Sequence, residues 1–190
     1  KNIKLFFMNF LTPKDLLFKP GDEIITCANT FVATVGAITE IGAKPIFVDC
    51  DDTFCIDVNL IEKKITKKTK AIVPVHFTGY VCNMTIINKL AKKYNLKIVE
   101  DACQSILGEY NGKIAGSMGD TGAFSLHPLK NLNVWSDGGV ITTNNSKIYK
   151  KLKLLRNHGL KNRDEVEIMG YNSRLDTIQA VVGNWLIPQT

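Results

Sequence analysis

From Gly21 onward the chain alternates short apolar runs, rich in Val and Ile, with segments of helical spacing, and no other feature restricts the fold as much. Residues 23–26 read as a strand, 31–41 as a helix behind the possible caps Asn29 and Thr30 and closed by Gly42, and 45–49 as a buried strand. The pattern continues with a helix over 57–65, a strand over 70–76, a helix over 83–94 with Ile86, Ile87, Leu90 and Ala91 on one face, and a strand over 97–100. Residues 121–126 and 139–143 predict two more strands, 147–157 an amphipathic helix, 170–174 a loop and 175–186 a last helix. Strands alternating with helices imply βαβ units: an α/β fold built on a mostly parallel sheet. Ligands of such sheets gather at the carboxyl ends of the strands, which here are 26–31, Asp49, 76–80, 101–104 and 125–130.

Composition narrows what the fold can serve. At 190 residues with 45% hydrophobic side chains, the chain can bury a sizeable core. Its formal charge of +6 suits an anionic ligand such as a phosphate but does not make a nucleic-acid binder. Lys63, Lys64, Lys67, Lys68 and Lys70 fall around a helix end and read as a solvated face. Five cysteines with no C-x-x-C pair suggest neither a disulfide framework nor a zinc site, and fit a reducing cytoplasm. The apolar run 5–11 behind Lys1 and Lys4 is broken by Asn9 and offers no small-residue cleavage site, so export is not expected. No apolar stretch reaches the roughly 18–20 residues that a membrane span requires.

The strand-end loops carry the chemistry. In G-A-F-S-L-H-P-L-K-N-L-N-V-W-S-D-G-G, residues 122–139, Lys130 lies on a loop between two strands, where a lysine is either a surface charge or an amine that forms a Schiff base. Asp101 follows the apolar pair Ile98-Val99, and a carboxylate there is a helix N-cap or the counter-ion of a cationic ring nitrogen. The second choice pairs with a Schiff-base lysine in sites for pyridoxal phosphate (PLP), a cofactor that needs an amine, an acid, a ring-covering side chain and anion-binding groups. Lys130, Asp101, Phe31 and Ser125 are candidates for these four, and Gln104 can reach the ring hydroxyl. His127 and His158 read as local hydrogen-bonding residues, and no G-x-G-x-x-G follows an early strand to support a dinucleotide site.

The stretches G-D-E-I-I-T (21–26), T-F-V-A-T (30–34), G-A-K-P-I-F-V-D (42–49), V-P-V-H (73–76), V-E-D-A-C-Q-S (99–105), G-D-T-G-A-F-S-L-H-P-L-K-N-L (119–132), L-L-R-N-H-G (154–159) and G-Y-N-S-R-L-D-T-I-Q-A (170–180) resemble, in this order, the DegT/DnrJ/EryC1/StrS family of PLP-dependent sugar aminotransferases. The resemblance runs from residue 21 to about 187. It implies the large domain of fold type I, with three α/β/α layers, over 21–187. It implies an aminotransferase acting on a keto group of a nucleotide-linked sugar, with glutamate as amino donor, in amino-sugar biosynthesis. Lys130 would bond the cofactor's aldehyde and shuttle a proton, and Asp101 would pair with the ring nitrogen. Gln104 would bond the ring hydroxyl, Ser125 the phosphate, and Phe31 would cover a ring face. Asn172 resembles the residue that reaches a partner's cofactor phosphate, which implies a homodimer; otherwise it is a turn asparagine. A lysine at 130 also argues against the family's dehydratase branch, where a histidine stands.

Residues 1–20 contain no glycine, so the Gly-Thr helix start of the family has no counterpart there. An irregular or divergent segment is expected over 1–20, with the small C-terminal domain absent, as in a partial chain. A catalytically incompetent fragment or regulatory remnant of the same fold is the alternative to an enzyme.

Overall fold

The structure, a computed structural model, describes residues 18–190. The expectation for 1–20 therefore lies mostly outside the described residues. Six strands form one sheet in the order β2-β1-β3-β4-β7-β8, with β1 Glu23–Cys27, β2 Lys44–Val48, β3 Thr69–Val73, β4 Lys97–Asp101, β7 Thr121–Ser125 and β8 Gly139–Thr142. Only β8 runs antiparallel, against β7. Side-chain alternation explains why both faces are covered. Ile25, Ile72 and Ile98 enter one apolar cluster with Met84, Ile87 and Leu90, while their neighbours Ile24, Ala71, Val73 and Val99 enter another with Ala37 and Ile38. Helix α1, Val32–Glu40, covers the second face; α2, Val58–Ile61, and α3, Met84–Tyr94, cover the first. This is the expected three-layer α/β/α architecture. Two further helices follow, α4 Ser146–Leu155 and α5 Thr177–Leu186. Among the described residues no helix is long and apolar enough to cross a membrane.

Several boundaries differ from the expected ones for local reasons. Strand 70–76 stops at Val73 because Pro74 has no N–H for the ladder, and Val75 continues only as an isolated bridge to Asp101. Helix 57–65 is one α-turn followed by a 3-10 turn, Glu62–Lys64, although Asp57 does cap it through the Asn59 N–H at 2.9 Å. Asn29 and Thr30 do not cap α1: Phe31 holds that position without a side-chain bond, and Asn29 donates to the Phe54 carbonyl instead. Asn83 and Asn145 cap α3 and α4. No expectation covers the hairpin β5–β6, Glu109–Tyr110 with Lys113–Ile114, whose Asn111-Gly112 turn has positive φ at both residues.

Glu100 ties the site strand to its surroundings. Its neighbour Asp101 points to the other face of β4, while Glu100 itself is fully buried. It accepts from His76 Nε2 (2.9 Å) and from the N–H groups of Gly116 (2.7 Å), Met118 (2.7 Å) and Gly119 (2.5 Å). His76 Nδ1 accepts from the Cys82 N–H, so the ring proton sits on Nε2 and faces the carboxylate. A Glu100→Gln change turns an amide NH₂ toward these donors. It should cost about 3 kcal/mol, read as a lower urea midpoint for unfolding; coincident midpoints would refute this role.

Candidate active site

The strand order sets where a ligand can bind. From β1 the chain steps to β2 on one side, then crosses to β3 on the other, which opens a crevice beyond the carboxyl ends of β1 and β3. A cavity of about 560 Å³, within the size range of small-molecule sites, lies there. It brings together all six candidates: Phe31, Asp101, Gln104, Ser125, Lys130 and Asn172.

Lys130 closes the turn 127–130, its N–H donating to the His127 carbonyl at 2.8 Å, with Pro128 favouring that bend. Its side chain is half-buried, and among the described residues its amine makes no hydrogen bond or ion pair. Asp101 ends β4 and is 4% exposed. No helix follows it, so the N-cap reading fails. Oδ2 accepts from Thr34 Oγ1 at 2.6 Å and Oδ1 from the Cys103 N–H at 3.2 Å, leaving lone pairs for a cationic donor in the cavity.

Ser125 ends β7, and its Oγ accepts from the His127 N–H at 3.3 Å, so its own proton remains available. Gln104 Oε1 accepts from the Thr78 N–H at 3.2 Å, which leaves the amide NH₂ to donate. Phe31 is 60% exposed at the rim, free to lie over a planar ligand. Asn172 is exposed and comes from the 170–176 loop, which an isolated bridge to Asn157 attaches to the end of α4. It lines the same chain's cavity as Lys130. Arg174 donates to Asn157 Oδ1 at 3.0 Å.

His127 keeps the local role expected of it. Its Nδ1 accepts from the Leu129 N–H, which puts the proton on Nε2, 3.9 Å from Asp137. Sequence reasoning missed Thr30, Thr34 and Cys103. Thr30 and Thr34 were visible as an i, i+4 pair within T-F-V-A-T. The Cys103 thiol is pushed well above its ordinary pKa by burial and then by the Asp101 charge, so it stays protonated at neutral pH. A second cavity of about 290 Å³ shares Cys103, Gln104, Ser125 and Lys130, so Lys130 stands between two chambers.

The donors and acceptors fit PLP: an unpaired amine, a buried carboxylate with free lone pairs, and hydroxyl and amide donors on one wall. Residues 10–187 match the model of the DegT/DnrJ/EryC1/StrS aminotransferase family. The chain is 47% identical over 164 residues to a pleiotropic regulatory protein of Geobacillus stearothermophilus, covering 86% of this chain and 44% of that one. It is 46% identical over 164 residues to the UDP-N-acetyl-3-dehydro-alpha-D-glucosamine 3-aminotransferase of Acidithiobacillus ferrooxidans, with the same coverage. Its fold superposes on ntda from Bacillus subtilis with bound cofactor PMP at a TM-score of 0.84 and 38% identity, covering 96% of this chain and 41% of that chain. The chain thus spans a little under half the length of the curated relatives it matches.

Proposed function

This chain belongs to the DegT/DnrJ/EryC1/StrS aminotransferase family, and on that premise we propose that it is the cofactor-binding part of a PLP-dependent aminotransferase that converts a keto group on a nucleotide-linked sugar to an amine, with glutamate as amino donor. The observation that carries the reading is the meeting of an unpartnered Lys130 amine and a buried Asp101 carboxylate on one cavity. The aminotransferase from Acidithiobacillus ferrooxidans supports the substrate class, and the PMP-bound Bacillus subtilis structure supports the cofactor.

PLP, when bound, supplies an electron sink for the carbon that gains or loses the amine. The residues of the chain do the rest. Lys130 would hold the cofactor's aldehyde and, once displaced by the donor's amine, would take up the proton that the donor's carbon gives up. Asp101, fixed at both oxygens by its two donors, would accept a hydrogen bond from the ring nitrogen. Gln104 would donate its NH₂ to the ring hydroxyl and Ser125 its hydroxyl to the phosphate, while Phe31 would cover one face and exclude water.

Residues 21–187 form the large domain in this reading. The working protein in this reading is a homodimer in which Asn172 serves the partner's cofactor phosphate, although in the single chain it lines the cavity of Lys130. Ile178, Val181 and Trp185, exposed along one side of α5, support association with further protein surface. Five free thiols suit a reducing cytoplasm.

The test adds PLP to the purified chain and follows the visible absorbance, then reduces with borohydride and maps the modified peptide. A stable adduct on Lys130 is expected. A chain that takes up no PLP, or carries it on another lysine, would make the remnant reading the correct one.

A further inference from the structure

The two threonines of T-F-V-A-T have no assigned part, yet they join the cavity to its buried acid. Thr30 lines the cavity, and its Oγ1 lies 2.8 Å from Thr34 Oγ1, which in turn lies 2.6 Å from Asp101 Oδ2. Thr34 is 2% exposed, so no solvent can replace either contact. A hydroxyl has one proton. With Asp101 ionised, the proton of Thr34 is committed to the carboxylate, and the bond between the threonines must therefore run from Thr30 to Thr34. The whole relay points inward. Thr30 has only acceptor capacity left to offer the cavity, and Asp101 receives a donor strengthened by the one behind it.

We infer that Thr34, backed by Thr30, is the positioning residue of this site: the pair holds the Asp101 carboxylate oriented toward the ring nitrogen of the cofactor. The inference rests on the PLP reading of the cavity. The Cys103 N–H fixes Oδ1 and Thr34 fixes Oδ2, so the carboxylate is held at both oxygens and cannot rotate away from the ring. Helical geometry makes the arrangement possible. Phe31 at the N-cap of α1 sends its ring to the rim, while residues 30 and 34, one turn apart, stack on the inner side.

The consequence is readable on acidification. A carboxylate deprived of a donor takes up a proton more readily. Once protonated, it no longer pairs with a cationic ring nitrogen. Thr34→Val keeps the side-chain shape and removes the donor. The pH at which bound PLP is half lost on acidification should rise by about one unit, the scale of one hydrogen bond to a charged group. Thr34→Ser should return it to the wild-type value. Thr30→Val, at the rim, should move it the same way by a smaller amount.

The other titratable groups on the cavity, Lys130, Cys103, His127, Asp137, Arg174 and Asp176, are the same in all the variants, so their own titration cancels in the comparison. PLP retention is followed by its visible absorbance after rapid desalting at each pH. An upward shift in Thr34→Val that serine reverses establishes the relay. Equal midpoints in wild type and Thr34→Val, or a shift that serine leaves in place, overturn it while PLP binding itself stands. Should Thr34→Val fail to fold, Thr30→Val decides by the same readout: a rise upholds the relay and an unchanged midpoint overturns it. A wild-type chain that takes up no PLP at any pH overturns both the relay and the function it serves.

Discussion

Replacing Lys130 with alanine is expected to abolish the borohydride-stable attachment of PLP and to slow the half-reaction with glutamate by roughly 10³-fold or more. Two separate losses combine. The amine is the group on this cavity placed to bond an aldehyde, because it alone is a cavity lysine and it has no partner among the described residues. In the proposed reaction it would also be the base that moves the proton once the donor has displaced it. Removing Lys130 should leave the fold intact: its side chain is only half-buried, and the turn depends on its main chain, through the N–H bond to His127 and the carbonyl that accepts from Asn133. Free PLP should still enter, held by Asp101, Gln104 and Ser125, and should wash out on dialysis. The two roles can be separated by adding a small primary amine, which can restore proton transfer but not covalent retention. Wild-type half-reaction rates in Lys130→Ala would remove lysine from the mechanism altogether.

How much of this could be read from the chain alone differs from element to element. The strand-helix alternation was legible because both faces of the inner strands are buried, so those strands had to carry short apolar runs; Ile24-Ile25 and Ala71-Ile72-Val73 show this. The end of β3 was not, because Pro74 and Val75 are apolar too, and a missing N–H is invisible to hydropathy. The Asn111-Gly112 hairpin was there to be found, but its strands are two residues long and too short for a period. The site candidates were legible one by one as strand-end residues. What periodicity could not supply was their mutual bonding: that Thr34 reaches Asp101 across 67 positions of sequence is a fact of packing α1 on β4.

Asp101→Asn is expected to keep the PLP absorbance while PLP is in excess, to release the cofactor on desalting more readily than the wild type, and to lose most of the transamination, on the order of 10²–10³-fold in the half-reaction with glutamate. The amide is the same size, so the cavity wall and its volume stay as they are. What changes is the sign of one contact. A carboxylate offers only acceptors, to Thr34, to the Cys103 N–H and to the ring nitrogen. An amide must donate through its NH₂, and the carbonyl can satisfy only part of the former set. If the carbonyl stays on the Cys103 N–H, the NH₂ faces Thr34, which must then accept and pass its own proton back to Thr30. The relay inverts, at little cost, because both threonine hydroxyls can rotate. The fold should therefore survive, with a melting temperature near that of the wild type. The ring nitrogen, however, meets a neutral group that cannot compensate a positive charge in a wall where Asp101 was 4% exposed. Attachment to Lys130 does not require that charge and should form while PLP is in excess, though less of it survives desalting, whereas proton removal at the reacting carbon depends on the charge directly. Absorbance and single-turnover rates measured on one preparation separate the two effects. Retention of both would show that the buried carboxylate is a structural anchor for the turn at Cys103, and loss of both would show that Asp101 serves binding rather than chemistry.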